Sequence, residues 1–172
     1  MFFELFPTVD YTNVGQTTPK TVTNIMRRVG VRQAIKENLT VFTRHTIRSG
    51  ETPESIAFDF YGDAELHWII LLTNDIYDRY HQWPMNVNQF QAYVNEKYSD
   101  PFAVHHYEIT QTSGDTTIKI DIGQDNTDHG SATAVTNFEY EESRQDELRQ
   151  IRLVDPVHVN QFVSDFSRLM EE

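Results

Sequence analysis

The stretch RHTIRSGETPESIAFDFYGDAELHWIILLTND, residues 44–75, carries the most specific order of structural signals in this 172-residue chain. Its first five residues predict a short strand with Ile47 on the inner face, and a turn around Gly50 ends that strand. A helix is then predicted to begin at Pro53, because Thr52 is placed to cap it and proline suits the first helical position. Everything else in the chain is interpreted around this segment.

A second helix is predicted to follow at once, because Gly62 ends the first one and Asp63 is placed to cap the next. Asn74 marks its end. The residues predicted to face inward share one helical face, with Trp68 and Leu72 at its border: Leu66, Ile69, Ile70 and Thr73. The segment therefore predicts a strand-helix-helix unit.

This unit resembles the first three elements of the LysM module, a strand-helix-helix-strand domain that binds peptidoglycan or chitin in many proteins. The likeness rests on Gly50-Glu51-Thr52, on Tyr61-Gly62-Asp63, and on Leu66, Trp68 and Asn74 at the matching positions. A LysM module continues into a glycine-containing return strand, whereas residues 76–93 contain no glycine, so the fourth element is expected to be missing or rebuilt. By resemblance, the counterparts of the sugar groove are Gly50, Glu51, Thr52, Asn74, Asp75 and Ile76.

Composition predicts a folded protein and excludes several kinds of site. Hydrophobic residues make up 38% of the chain and aromatic residues 12%, which is not typical of a disordered protein. The chain has no cysteine, which excludes disulfides, thiolate metal sites and cysteine nucleophiles. Residues 1–8 place no basic residue before their apolar part, and no apolar run reaches the roughly 18 residues of a membrane span. We therefore expect neither a signal peptide nor a membrane span.

Charge is distributed unevenly along the chain. The net charge is -12, which disfavours non-specific binding to nucleic acid or to an anionic membrane. Residues 1–50 hold 7 basic and 3 acidic residues, a balance of +4, which leaves -16 for the remainder. The sequence therefore predicts a basic arm followed by an acidic body.

The N-terminal arm, residues 1–43, begins with a dense apolar set that a free terminus would not leave in water: Phe2, Phe3, Leu5, Phe6, Val9 and Tyr11. Short helices are predicted over residues 24–29, capped by Thr21 or Thr23, and over residues 31–39. Two interpretations remain open. The arm covers the LysM-like core, or it grips another protein.

The middle of the chain is predicted to add a helix and a β-hairpin. Residues 44–100 combine the LysM-like core with an aromatic cluster of Tyr77, Tyr80 and Trp83 and with a helix capped by Asn86 or Asn88. Residues 101–137 hold a hairpin over 104–122, in which apolar and polar residues alternate, and a mobile loop over 123–137.

The last segment, residues 138–172, is charge-rich as far as residue 149, and residues 150–154 predict a short extended piece. Asp155 is placed to cap a helix that begins at Pro156. Apolar residues form one stripe along that helix: Val159, Phe162, Val163, Phe166, Leu169 and Met170. The whole chain is thus predicted to be an α+β protein: a LysM-like core with an added hairpin, an N-terminal arm and a C-terminal helix.

The segments on either side of the LysM-like unit point to a narrower family. The opening FFELFP with Tyr11, the segment at 24–28, the core unit and the closing ELRQIRLVDPVHVNQFVSDFSRLM together resemble the LysM-containing baseplate wedge protein of contractile-tailed bacteriophages. The resemblance implies a structural protein of the virion tail baseplate, assembled in the host cytoplasm. It also implies contacts with the wedge scaffold and the sheath-initiating protein. By the same resemblance, we expect no enzymatic activity and no cofactor.

The residues predicted to bind partners come from the two ends of the chain: Phe2, Phe3, Phe6, Tyr11, Arg27, Arg28, Phe162, Phe166 and Leu169. The alternative function, from another class, is a peptidoglycan-binding LysM module that targets a lytic enzyme to the cell wall. No catalytic residue is predicted. No metal site is predicted either, because the histidines lack ligand spacing and His105 and His106, on a predicted strand, should point to opposite faces.

Overall fold

The computed structural model describes residues 2–13, 15, 17–31, 41–112, 114 and 117–171, and only the backbone at residue 2. Its strands and helices, in chain order, are β1 (Thr8–Tyr11), β2 (Lys20–Thr23), β3 (Phe42–Thr46), α1 (Pro53–Tyr61), α2 (His67–Thr73), α3 (Arg79–Gln82), α4 (Val87–Lys97), β4 (Val104–Thr110), β5 (Lys119–Asp121), β6 (Thr133–Thr136), α5 (Asn137–Arg149), β7 (Gln150–Val154) and α6 (Pro156–Glu171). This mixture confirms the α+β class. The helix predicted over 31–39 lies, apart from Val31, outside the described residues.

The chain divides into two compact units. Unit 1 comprises Met1–Ile47, Glu51–Gln82 and Gln150–Glu172, and unit 2 comprises Arg48–Gly50 and Trp83–Arg149. Unit 1 therefore contains both ends of the chain, and unit 2 is inserted into it.

The centre of unit 1 forms largely as its local signals predict. Thr52 caps α1: its hydroxyl accepts a hydrogen bond from the Ser55 amide at 3.2 Å, and the Ser55 hydroxyl accepts one from the Thr52 amide at 2.9 Å. Gly62 ends the helix with φ of 78°, in the left-handed region that glycine adopts without a steric penalty. The strand β3 begins two residues earlier than predicted, and Ile47, just beyond its end, is buried.

The second helix is shorter than predicted. Asp63 caps a 3-10 turn at Ala64–Leu66, accepting a hydrogen bond from the Glu65 amide at 2.9 Å, and α2 starts only at His67. The predicted inward residues Ile69, Ile70 and Thr73 are buried, and so is Trp68, which was predicted to lie at the border. Helix α2 is therefore buried on more than its predicted apolar face, because β7 and α6, which are distant in sequence, also pack on it.

The return strand is rebuilt from the far end of the chain. The strand β7 pairs antiparallel with β3, in a register that joins Phe42 to Val154 and Thr46 to Gln150. Its residues Ile151, Leu153 and Val154 are buried. The strand-helix-helix unit is thus closed by a strand that follows all of unit 2 in sequence.

The helix α6 completes the core of unit 1. Asp155 caps it, accepting a hydrogen bond from the Val157 amide at 3.0 Å, which confirms that prediction. The core cluster draws on α2, β7 and α6: Trp68, Ile69, Val154, Val159, Phe166 and Met170. The rings of Trp68 and Phe166 are 4.6 Å apart between centroids, so the apolar stripe of α6 packs on the chain's own second helix.

The N-terminal region differs from its prediction. Thr21 and Thr23 lie in β2, which pairs antiparallel with β1, and residues 24–30 form a turn followed by irregular structure instead of a helix. The run Thr21-Val22-Thr23 is β-branched, which favours a strand over a helix, and β1 supplies the partner. The predicted short helix over 24–29 is therefore wrong.

The segment after α2 exposes its aromatic residues. Tyr77 and Tyr80 are largely exposed, so the predicted aromatic cluster does not form around them. The helix α3 is a single turn, and Arg79 within it pairs with Glu54 across 2.8 Å on the surface. One turn offers too few side chains to bury an apolar face, which explains the exposure.

Unit 2 contains α4, α5 and a three-stranded sheet. Asn86 caps α4, accepting a hydrogen bond from the Gln89 amide at 2.9 Å, as predicted. The predicted hairpin is confirmed by the antiparallel pairing of β4 with β5, which places Ile109 opposite Ile120.

Two parts of unit 2 correct the sequence-based predictions. Within the segment predicted as a loop, β6 forms a third strand on the other edge of β4; it carries the β-branched run Thr-Ala-Val-Thr, which suits a strand. A register shift lies between Val104 and His106, so His105 and His106 do not point to opposite faces. Their Nδ1 atoms are 2.9 Å apart, and both rings contact Tyr140 of α5.

Candidate functional site

A cavity of about 700 Å³ lies beside α6 in unit 1. Its apolar lining comes from four separate segments of the chain: Val29, Val31, Val41, Leu72, Val154, Phe162, Phe166 and Leu169. Four charged or titratable residues also line it: Arg28, His158, Asp165 and Arg168. An apolar floor with a charged rim is the usual composition of a surface that binds another protein.

The helix α6 positions half of the lining. Its residues at positions 158, 161, 162, 165, 166, 168 and 169 reach the cavity, because side chains three and four positions apart share a helix face. Phe166 is 5% exposed and belongs to the core, whereas Leu169 is 41% exposed at the edge. Phe162 is half-buried and lies between them in exposure.

The charged residues around the cavity are held by weak surface contacts. Arg168 lies 3.4 Å from a carboxylate oxygen of Asp165, and Gln161 donates a hydrogen bond to the other oxygen at 3.0 Å. Arg28, which precedes Val29 in the chain, is exposed. Surface charges of this kind contribute little to folding.

The cavity brings together four of the residues predicted to bind partners: Arg28, Phe162, Phe166 and Leu169. The others lie elsewhere. Phe3 is exposed with its ring 5.6 Å from that of Phe6, and Phe6 packs against the core cluster. Tyr11 is exposed on β1, and Arg27 is half-buried. The side chain of Phe2 lies outside the described part of the chain.

Sequence reasoning missed the opposite wall of the cavity. Val29 and Val31 flank Gly30, Val41 precedes Phe42, and Leu72 was assigned to the border of the second helix. No local periodicity marks these residues as one surface, because the surface arises only when β3 and β7 pair and α6 packs beside them. The helical spacing of Phe162 and Leu169 was the available signal, and it identified only the α6 side.

The residues predicted by resemblance to match a LysM groove mostly serve the fold. The amide nitrogen of Asn74 donates to the carbonyl oxygens of Ile70 and Arg152, both at 2.8 Å, and its side-chain oxygen accepts from the Arg152 amide at 2.9 Å. Thr52 is occupied as the cap of α1. Both side chains are therefore used within the chain.

The remaining groove-like residues form turns. Asp75 has φ of 56°, and its carboxylate accepts a hydrogen bond from the Tyr77 hydroxyl at 3.2 Å. Ile76 is half-buried, with its amide bonded to the Leu71 carbonyl at 2.9 Å. Glu51 lies 3.2 Å from the ring nitrogen Nε2 of His45. Gly50, in unit 2, has φ of 87°.

Unit 2 contains a buried carboxylate that is used in a structural ion pair. Glu141, predicted to lie in a solvated charge run, is buried and accepts hydrogen bonds from Lys97 Nζ at 2.7 Å and from the Tyr98 hydroxyl at 2.8 Å. Burial raises the pKa of Glu141, but these hydrogen bonds and the charge of Lys97 outweigh it and lower the pKa below its usual value. The same carboxylate raises the pKa of Lys97. Each group holds the other in its charged form.

Two classes of site find no support in the structure. Within the described ranges, no group of three or more His, Asp or Glu side chains is arranged to hold a metal ion. The helices of the described residues also include none with the length and apolar character to cross a membrane. The cavity beside α6 remains the principal candidate site.

Comparisons with known proteins identify the family. A family model described as base plate wedge protein 53 matches residues 1–103. The baseplate wedge protein gp53 of Enterobacteria phage T4 is 26% identical over 193 residues, an alignment that covers 100% of this chain and 97% of that protein. Two esterases of Mycobacterium tuberculosis strains, MT1326 and Rv1288, are 49% identical over 37 residues, which is 22% of this chain and 8% of each esterase. Because the family match spans more than half of its length, the chain belongs to the base plate wedge protein 53 family and is a structural component of a phage tail baseplate.

Proposed function

We propose that this protein joins other baseplate wedge proteins through protein-protein contacts and has no enzymatic activity. The observation that carries the proposal is the cavity beside α6, because it gathers apolar residues from both ends of the chain under a charged rim. The proposed partners are the wedge scaffold and the sheath-initiating protein, which the sequence resemblance implies.

Two kinds of residue contribute differently to such a contact. Phe162 and Leu169 supply apolar area at the cavity, and Phe3 adds an exposed ring from the N-terminal arm. Buried aromatic and aliphatic anchors provide most of the affinity of an interface, while rim charges such as Arg28 mainly set the rate of association. Both contributions are therefore open to separate measurement.

The LysM-like core is proposed to act as a scaffold. Its support is the antiparallel pairing of β3 with β7 around α1 and α2, which gives the order strand, helix, helix, strand. The side chains of Thr52 and Asn74 form hydrogen bonds within the chain and are not available to bind a glycan. We therefore expect that the purified protein does not sediment with insoluble peptidoglycan. Retention that is lost on changing Asp75 or Ile76 would instead support the cell-wall alternative.

The test of the joining function compares two changes on the same helix. Leu169→Asp places a charge at the edge of the cavity, whereas Val157→Asp places it at a strongly exposed position outside the cavity lining. We expect Leu169→Asp to reduce incorporation into assembled baseplates by about tenfold, since burying an unpaired polar group in an apolar contact costs about 1–3 kcal/mol, and Val157→Asp to leave it unchanged. Incorporation is measured by quantifying this chain in purified particles.

A second variant addresses the charged rim. Arg28→Ala is expected to slow association with wedge proteins and to flatten its dependence on salt concentration, with little effect on dissociation. Normal incorporation of both Leu169→Asp and Arg28→Ala would show that the cavity is not the joining surface.

A further inference from the structure

The hydrogen-bond pattern of the two-stranded sheet in unit 1 shows which backbone groups of β3 point away from β7. The amide of Asp155 donates to the carbonyl of Val41 at 2.8 Å, so these two residues form a hydrogen-bonded pair at the end of the ladder. In an antiparallel ladder, hydrogen-bonded pairs alternate with pairs whose backbone groups point outward. Phe42, Arg44 and Thr46 of β3 therefore belong to pairs of the outward kind.

The edge of the sheet at β7 is closed by the chain itself. Arg152 of β7 lies opposite Arg44, and the side chain of Asn74 donates to the Arg152 carbonyl at 2.8 Å and accepts from its amide at 2.9 Å. Both bonds are made on the side of β7 that faces away from β3, which confirms that the pair of arginines is not hydrogen-bonded through its backbone. Edge groups that are already occupied in this way cannot pair with a further strand.

The edge of the sheet at β3 is open. The outward amides and carbonyls of Phe42, Arg44 and Thr46 have no hydrogen-bond partner within the part of the chain that the structure describes, and Arg44 and Thr46 are exposed. A row of unpaired amides and carbonyls is a template for an added strand, and many proteins bind an extended peptide in this way. The sheet can therefore grow at β3 but not at β7.

The side chains at this edge restrict the chemistry of an added strand. Arg44 and Arg152 lie directly opposite each other in a pair of the closer kind, with Cα atoms about 4.5 Å apart. Like charges in such a pair are destabilising, and an acidic residue across from Arg44 on an added strand would offset them. Phe42 is half-buried and shares this face of β3, two positions along, so an apolar residue fits opposite it.

The same charges reject the edge of a second copy. Arg44 is the central residue of β3, which spans Phe42–Thr46. Symmetrical pairing of two copies would therefore place Arg44 opposite Arg44, with an Arg152 on either side. Four arginines in one row across the sheet repel one another, whereas an acidic segment of a different protein is attracted.

We propose that β3 receives an extended segment of another baseplate wedge protein, which adds to the sheet as a third strand and places an acidic residue beside Arg44. The proposal rests on the proposed joining function and names a further contact for it, because Arg44 is not part of the cavity lining. Main-chain hydrogen bonds supply affinity in a contact of this kind, and the side chains opposite Arg44 and Phe42 supply specificity.

Amide hydrogen exchange read by residue tests the added strand, in the free full-length chain and in purified baseplates. In the free chain the amides of Arg44 and Thr46 should exchange fast, whereas those of Thr43 and His45, which point toward β7, should be protected. In baseplates the Arg44 and Thr46 amides should exchange at least about tenfold more slowly. Unchanged exchange in baseplates would overturn the proposal. So would slowing in the free chain that grows with its concentration, because the occupant would then be a second copy.

Charge reversal tests the acidic partner. Arg44→Glu places opposite charges across the strand pair with Arg152, so the variant should be at least as stable toward urea as the wild type, yet its incorporation into baseplates should fall by about tenfold. Arg44→Lys keeps the charge and should be incorporated like the wild type. Thr43→Glu is the matched control, because it adds an acidic residue at an exposed position on the opposite face of the same strand, and it should also be incorporated normally.

The outcomes separate this contact from the joining function as a whole. Normal incorporation of Arg44→Glu would overturn the acidic partner. If Leu169→Asp were then still excluded from baseplates, joining would proceed through the cavity alone and only the added strand would be refuted. If Arg44→Glu, Leu169→Asp and Arg28→Ala were all incorporated normally, the added strand and the proposed use of the cavity would both be wrong.

Discussion

At the scale of single residues, Asn74 shows how one side chain can connect distant parts of the chain. Its amide bonds to the carbonyl of Ile70 within α2 and to both backbone groups of Arg152 in β7. A hydrophobic residue cannot replace it, because the Arg152 amide and carbonyl would then lose their side-chain partner. The residue therefore locks the returning strand to the second helix.

We predict that Asn74→Ala lowers the free energy of unfolding by about 1–3 kcal/mol, the combined net contribution of the hydrogen bonds that its side chain makes to Ile70 and Arg152. Asn88→Ala removes an amide at an exposed position of α4 and should change stability by less than about 0.5 kcal/mol. Urea titration followed by circular dichroism measures both. Equal stability of the two variants would mean that the Asn74 bonds are replaced by water without loss.

The ion pair of Glu141 and Lys97 predicts a dependence of stability on pH. The folded-state pKa of Glu141 lies below its unfolded value, so its contribution to stability is complete above the ordinary glutamate pKa and is lost as the pH falls through the folded one. Glu141→Gln should therefore flatten the loss of stability in acid. At neutral pH it should cost about 1–3 kcal/mol, less than a fully buried pair because Lys97 is partly exposed.

Thermal unfolding over pH 3 to 7 provides that measurement, with Glu142→Gln as the control on the same helix, because Glu142 is exposed. The control should follow the wild-type curve. An equally steep acid decline in Glu141→Gln would show that other carboxylates control the acid sensitivity.

At the scale of the element, α6 serves two purposes with one apolar stripe. Its residues Val159, Phe166 and Met170 are buried in the core, while Phe162 and Leu169 line the cavity. The stripe is wider than the area that Trp68 and its neighbours cover, so its edge at Leu169 stays exposed. The sequence alone does not show which residues of the stripe lie in the core and which line the cavity.

We predict that the two parts of the stripe respond differently to truncation. Phe166→Ala should lower the free energy of unfolding by about 3–5 kcal/mol, as expected for a buried aromatic residue, whereas Leu169→Ala should cost less than about 1.5 kcal/mol because its side chain is already partly exposed. Denaturant unfolding separates the two. Similar losses for both variants would mean that Leu169 is also part of the core.

At the scale of the whole molecule, the fold of unit 1 depends on the last segment of the chain. Strand β7 and helix α6 provide Leu153, Val154 and Met170, all fully buried, to a core that begins at β3. Unit 2, in contrast, lies within residues 48–50 and 83–149. The two units therefore differ in which part of the chain they require.

We predict that a chain ending at residue 149 loses the cooperative unfolding of unit 1 but keeps the hydrogen-bond network of unit 2. The physical reason is that β3, α1 and α2 would expose Ile47, Ile69 and Ile70 without β7 and α6 to cover them. Hydrogen exchange read by residue should show protection lost in α1 and α2 and retained in α4 and α5. Retained protection in α1 and α2 would show that the first part of the chain folds without its return strand.

The sequence alone determined the features that depend on neighbours within about four residues. The caps at Thr52 and Asp155 and the stop at Gly62 are local hydrogen-bond and backbone effects, and they were predicted correctly. Asn86 was one of two predicted caps for its helix, and the structure decides in its favour over Asn88. Alternation likewise predicted the β4–β5 hairpin, and the family resemblance identified a baseplate wedge protein. Of the site, the sequence supplied only Arg28 and the α6 side.

Tertiary structure decided the features that depend on distant parts of the chain. Pairing of β3 with β7, the third strand β6 and the wall of the cavity at Val29 and Leu72 each require two segments far apart in sequence. The pattern of one strand shows which face is apolar, but not which other segment or chain will cover it. For that reason the sequence predicted an apolar alternation around Ile120, and only the packed structure showed that Tyr140 of α5 contacts His106 on the opposite face.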